Sequence, residues 1–394
     1  MVCHDDTIMT AGSIDALAQR RLGRAGPSAP ERALLRAATL QGDAAASAWR
    51  HWAASNHIDD TATYAVELLP AVSSNVSGDV LGDEAGRLRG LRRRVWVEQQ
   101  NQSRRTQRSI EALGSAGIVP IITGGAALAT TVFAAAGTRP WGPLSLVIGD
   151  ADIDSAAVAL RLAGWVSPSR TSGPFDHVVT LADAATDTTS HTLRLQPWVL
   201  FPSVVGVPER RWEQRSVTHE LLGCTVRRLR MSDELVATII TGLWSQSATS
   251  ARWPLDAVYV VRHGPPVDQV CVADFWREVV ASAVEASVGP LLADALEWCR
   301  TELDAPVPAN VVAELAASPL DRHVARHWAL RRRGITPEWR ALRYRRWCLA
   351  RNERPTPLGY ARARCAVLAA KGVGASVDER AIRAKKFVSN QWRG

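Results

Sequence analysis

Residues 118–165 read IVPIITGGAALATTVFAAAGTRPWGPLSLVIGDADIDSAAVALRLAGW, and the reading of this stretch decides the fold. An apolar run rich in Ile and Val ends at Thr123, Gly124 and Gly125 follow, and an Ala-rich stretch continues to Ala136. A second apolar run, Leu144–Ile148, leads into another Ala-rich stretch ending at Ala163. Short β-branched runs between turn residues make strands, and Ala/Leu runs make helices. The expected order is therefore strand, glycine turn, helix, strand, helix. A Gly-Gly turn lets backbone approach a ligand closely, and free N–H groups beyond it can hold a phosphate.

The residues of this stretch resemble the nucleotidyltransferase family of polymerase-β-like fold, an uncharacterised bacterial nucleotidyltransferase family. Its core reads roughly L-K-G-x-A-L, then R-P-x-x-D-x-D-x-L-V, then a helix ending in G-W. Here the first block is Ile122-Thr123-Gly124-Gly125-Ala126-Ala127-Leu128, the second runs from Arg139-Pro140 to Val147-Ile148, and Gly164-Trp165 closes the helix. Further landmarks follow in order: Trp49-Arg50-His51-Trp52, Leu68-Leu69-Pro70, Arg93-Arg94-Val95-Trp96, Trp244, Arg252-Trp253-Pro254-Leu255-Asp256 and Asp274-Phe275-Trp276. The resemblance spans about residues 30–320. It implies an α/β (α+β) fold, a small mixed sheet of nucleotidyltransferase type flanked by helical N- and C-terminal regions. The segments are a flexible N-terminus (1–29), a helical region (30–110), the nucleotidyltransferase-like core (111–230), and a helical C-terminal region with a basic tail (231–394).

The resemblance also carries expectations about chemistry. Nucleotidyl transfer uses Mg²⁺ held by two carboxylates at i and i+2 on one strand, which point to the same side, and a third on a neighbouring strand. In this chain the two aspartate positions fall on Pro143 and Ser145, the third acid falls on Arg194, and the family lysine falls on Gly124. Proline offers no side-chain oxygen, serine only a neutral hydroxyl, and arginine a cation. The implied protein is a catalytically degenerate member with no catalytic residue. It needs no cofactor, Mg²⁺ being required only if it is active, and it binds a nucleotide or anion. The residues expected to line that site are Thr123, Gly124, Gly125, Arg139, Ser145, His177, Arg194 and Asp256. A guanidinium suits phosphate geometry, and a biosynthetic partner protein is the other expected associate.

Two alternatives stand beside this. Asp150 and Asp152, in the run GDADID, could be relocated metal-binding acids of an active enzyme. They follow the strand and precede SAAVALRLAG, where helix-capping and first-turn acids belong. The Arg-rich tail (Arg331–Arg333, Arg340, Arg343, Arg345, Arg346, Arg351, Lys385, Lys386) could bind nucleic acid, against the simpler reading of a solvated helical face. The basic run Arg87–Arg94 carries the same pair of readings.

Composition narrows the field. The 394 residues are 46% hydrophobic and 22% charged, as in an ordinary folded protein with room for several domains. All but three of the 47 basic residues are arginine, and the net charge of +8 permits an anionic partner without naming one. The six cysteines, from Cys3 to Cys365, form no CxxC pair, which fits reduced thiols in a cytoplasmic protein. No signal peptide is evident in MVCHDDTIMTAG. The long apolar stretch 117–137 holds Pro120, Thr123 and two glycines, so it fits strand-turn-helix better than a membrane span. His323 and His327, four apart on a helix with only Asp321 near, read as surface histidines rather than a metal face. Met231-Ser232-Asp233-Glu234 reads as a helix start capped by Ser232.

Overall fold

The computed structural model describes residues 22–61, 63–133, 135–149, 151–166, 179–183, 192–196, 199, 208–244, 252–334, 348 and 354–362. At the N-terminal end, Ser28 and Glu31 form a capping box in which the Ser28 N–H donates to the Glu31 carboxylate, and Pro30 sits in the first turn. These start the helix Ala29–Thr39, which buries Leu34, Leu35, Ala37 and Ala38 on one face. Helices Gly42–Ala53 and Leu69–Asn75 follow. Residues 73–86, rich in Ser and Gly, are mostly helical. They hold a short helix at Gly78–Leu81 and a 3₁₀ turn at Gly82–Glu84, because Val76 and Leu81 are drawn into the core and fold the chain tightly. The basic helix Ala85–Ser115 then runs to the sheet.

Among the described residues the sheet has seven strands: β1 (Ile121–Thr123), β2 (Leu144–Val147), β3 (Trp165–Val166), β4 (Val179–Asp183), β5 (Thr192–Gln196), β6 (Val217–Leu221) and β7 (Cys224–Arg228). Their order is β3-β4-β5-β2-β1-β7-β6. β1 pairs antiparallel with β2 and parallel with β7, and β2 pairs parallel with β5, so the sheet is mixed. This is the α+β architecture the sequence implied.

Alternation along the strands gives the sheet two different faces. Ile122, Leu146, Leu181, Leu193 and Leu195 are fully buried in an apolar layer shared with Leu113 of the basic helix and with Ala156 and Leu160 of helix Ile153–Leu162. On the other face, Ile121 and Val147 join a separate and larger core. That core is continuous from Leu22 and Ala25, through Leu34, Trp49 and Leu69, to Leu235, Leu255, Leu296 and Trp328. The N-terminal helices and the C-terminal helices (Met231–Trp244, Trp253–Val267, Val272–Glu285, Gly289–Leu303, Ala309–Ala317, Arg322–Arg332) thus share one interior. Polar ties reinforce it: Arg262 donates to the carbonyl of Thr39 at 2.6 Å, and Arg36 to that of Glu302 at 3.0 Å.

Two local expectations change. Ser232 does not cap its helix; it lies inside Met231–Trp244 and donates to Glu278 at 2.8 Å. The cap comes from Asp268, whose carboxylate accepts from the Met231 N–H at 2.6 Å and pairs with Arg228 at 2.7 Å. His327 is not at the surface. It is 6% exposed, and burial pushes its pKa down to about 4, so it sits in the fold as a neutral imidazole. Asp321 caps the same helix by accepting from the backbone N–H groups of His323 and Val324. Among the described residues no helix is long and apolar enough to cross a membrane.

Candidate functional site

Strand register builds the site. Thr123 of β1 lies opposite Ser145 of β2, Ser145 opposite Arg194 of β5, and Arg194 opposite Thr180 of β4. Residues opposite one another in a ladder point to the same face, and this face is the one turned away from the leucine layer. One polar rung therefore crosses four strands: hydroxyl, hydroxyl, guanidinium, hydroxyl. Three of the expected site residues, Thr123, Ser145 and Arg194, are brought together here. Pro143 sits just before β2.

A buried charge cluster adjoins the rung. Arg139 is 3% exposed and Asp256 is 4% exposed, and they form a two-pronged pair with both contacts at 2.7 Å. Arg139 also donates to the Pro140 carbonyl, so its guanidinium is spent on holding the loop before β2 to helix Trp253–Val267 rather than offered to a ligand. Gln99 fixes the same loop from the basic helix, donating to the Arg139 carbonyl at 2.6 Å and accepting from the Gly137 N–H at 3.1 Å. Asp256 acts in this clamp.

The glycine turn behaves as the sequence implied in shape but not in its partner. Gly124 has φ +65, and Gly125 opens the helix Gly125–Thr131. The Gly124 N–H, expected to face a phosphate, donates instead to the Glu234 carboxylate at 2.8 Å. Glu234 is 1% exposed, and its second oxygen is buried without a hydrogen-bond partner. Burial pushes its pKa up to about 7 and nearby Asp256 adds to that, while the Gly124 N–H and Arg139 oppose it.

The folded state thus takes up this proton well above the usual glutamate range, so stability falls as pH rises from about 4.5 toward about 7. The loss is about 3 kcal/mol across that window. Glu234→Gln keeps an acceptor for Gly124 and removes the titration. Its unfolding free energy, followed by urea titration from pH 5 to pH 8, is expected to lack this decline and to exceed wild type at pH 8.

Arg252, Glu67 and Glu234 complete the cluster and were not among the expected site residues. Arg252 could have been found, since it heads the R-W-x-x-D motif four residues before Asp256. Glu67 and Glu234 carry no local signal. His177 and Asp150 lie outside the described residues. Asp152 is exposed at the start of helix Ile153–Leu162, beyond the end of β2, and makes no capping bond with its side chain.

At the positions where the resemblance places the Mg²⁺ ligands, the described residues offer a poor donor set for that ion. The three positions that would carry carboxylates present no side-chain oxygen, one neutral hydroxyl and one guanidinium, and the nearby Asp256 gives both oxygens to Arg139. Among the described residues no group of three or more His, Cys, Asp or Glu is placed to hold a metal ion.

The mixed sheet, the glycine turn and the polar rung define a nucleotidyltransferase-type core. A family model described as uncharacterised nucleotidyltransferase matches residues 65–300, and the chain belongs to that family. No curated protein and no solved structure matches it.

Proposed function

We propose that this nucleotidyltransferase-family protein binds a phosphate-bearing ligand, a nucleotide by the logic of its fold, without a metal ion. In this reading it has lost metal-dependent nucleotidyl transfer and serves as an accessory protein beside biosynthetic enzymes. The observation that carries the reading is Arg194 in register with Ser145, a cation on the rung where the resemblance calls for carboxylates. A guanidinium placed there neutralises phosphate charge directly and presents a planar fork of donors. Phosphoryl groups held this way need no Mg²⁺ to offset their charge.

Calorimetric titration of the purified chain with ATP, CTP, GTP and UTP, each with Mg²⁺ and again with EDTA, tests this. Binding of at least one nucleotide that survives EDTA is expected. Binding that disappears with EDTA, or Mg²⁺-dependent transfer of a nucleotide that is lost in Asp152→Ala, would instead establish an enzyme with relocated acids. Residues 335–347 and 363–394, which hold most of the basic tail, lie outside the described residues, and no observation favours the nucleic-acid reading.

A further inference from the structure

Arg252 is 9% exposed and stands at the rim of the polar rung. Its guanidinium lies against the turn that leads into β2: a Cβ added to Gly142, which has φ +66, would fall 3.5 Å from Nη2 and 3.7 Å from Nη1. Gly142 is three residues before Ser145, so the group sits beside the position that Pro143 occupies. Its ion-pair partner is Glu67, in the turn between the helices Thr63–Val66 and Leu69–Asn75, with Nη1 and Oε2 2.8 Å apart. The contact is close but misaligned, and neither of these two buried atoms makes a hydrogen bond.

The neighbours make this arrangement costly. Arg139 and Arg194 both act on Arg252 as repelling cations, Glu67 and Asp256 as attracting anions, and burial disfavours its charge most of all. Of the two anions, Asp256 is already committed through both oxygens to Arg139. A buried guanidinium with poorly directed donors and cationic neighbours is stabilised by an added anion that supplies aligned acceptors. Two guanidiniums, Arg194 opposite Ser145 and Arg252 against the Gly142 turn, suit an anion with several oxygens and more than one charge, which describes a phosphoryl group better than a carboxylate.

We propose that Arg252, together with Arg194, forms the subsite for the ligand's terminal phosphoryl groups, and that Glu67 is the internal counter-ion which those groups displace. This rests on the reading of the cleft as a phosphate-binding site. It adds a particular pair of cations and an intramolecular competitor, so that the N-terminal region holds the site closed to anions by a single carboxylate.

The test is calorimetric titration of the full chain with inorganic tripolyphosphate in EDTA, for wild type, Arg252→Gln, Arg252→Lys, Glu67→Gln and the double variant Glu67→Gln/Arg252→Gln. Arg252→Gln is expected to weaken binding about ten- to hundred-fold, the worth of a charge-assisted contact. Arg252→Lys keeps the charge and gives a second reading if the glutamine variant does not fold. It should still weaken binding, because the planar fork is gone. Glu67→Gln should tighten binding about ten-fold, and this gain should vanish when Arg252 is also glutamine, since the two are coupled. Wild-type affinity in both Arg252 variants would overturn the subsite. A Glu67→Gln gain that persists without Arg252 would overturn the counter-ion role. Nucleotide binding with no affinity for tripolyphosphate would sink the subsite while leaving the nucleotide reading intact. Tripolyphosphate binding with no affinity for any nucleotide would do the reverse.

Discussion

Arg139→Leu is expected to destabilise the protein by about 3–5 kcal/mol, the cost of stranding one member of a buried ion pair. Asp256 would keep its burial and lose both of its 2.7 Å contacts. The loss extends further, because Arg139 also attracts Glu67 and Glu234. Three carboxylates would then surround a leucine, and Glu234 would lose an attraction that opposes the upward shift of its pKa. Urea unfolding at pH 7 reads the effect as a drop in the midpoint at unchanged slope. The double variant Arg139→Leu/Asp256→Leu should recover much of the loss, since a buried pair replaced by apolar groups is often close to neutral. A single-variant loss below about 1 kcal/mol would mean that the pair does not hold the pre-β2 loop to the C-terminal bundle.

The second large effect distinguishes two adjacent glycines. A Cβ on Gly125 would lie 1.7 Å from the Trp141 carbonyl oxygen and 2.5 Å from Arg139 Nη1. Backbone cannot swing aside as a flexible side chain can, so Gly125→Ala must separate the helix Gly125–Thr131 from the loop before β2. Overpacking typically costs about 1–3 kcal/mol and sometimes more; here the upper end is expected, with soluble yield falling accordingly. A Cβ on Gly124 meets nothing within 4 Å, and its cost is the backbone conformation alone, φ +65 and ψ −134, which glycine adopts far more readily than other residues, about 1–3 kcal/mol. The expected order of melting temperatures is therefore wild type, then Gly124→Ala, then Gly125→Ala. The reverse order would show that the turn is governed by backbone conformation rather than by close approach.

Features set by neighbouring residues were legible in the sequence. The β-branched run before Gly124-Gly125 and the run at Leu144–Ile148 became β1 and β2, and the alternation of Leu193 and Leu195 with Arg194 became β5. The resemblance also placed Ser145 and Arg194 on neighbouring strands, where they meet in register. What could not be read was the choice of partners across long separations. Asp256 was expected to line the ligand site, and nothing local points to Arg139 as its partner; packing of two elements 117 residues apart decides it. The Gly124 N–H looked available because the turn itself offers it no acceptor. Glu234, 110 residues later, supplies one. Ser232 looked like a cap by its spacing, but Asp268 reaches the Met231 N–H first, and Ser232 turns to Glu278. His327 shows the same limit: helical spacing put it on a face, and only the tertiary core shows that the face is buried.

The shared interior of the N- and C-terminal helices bears on how the chain is made. Trp49, Leu34 and Leu69 leave the ribosome early, yet the residues that cover them include Leu255, Leu292 and Leu296, more than 180 positions later in the sequence. Among the described residues the sheet layer around Leu146 and Leu195 draws on residues 110–226, and it can consolidate in between. Long-range closure is slow, and apolar surface left waiting for it is open to misassociation. Synthesis should therefore pass through a stage in which a folded sheet carries uncovered helices ahead of it. A nascent chain halted before Met231 should be held by chaperones, and one released only after Trp328 should not.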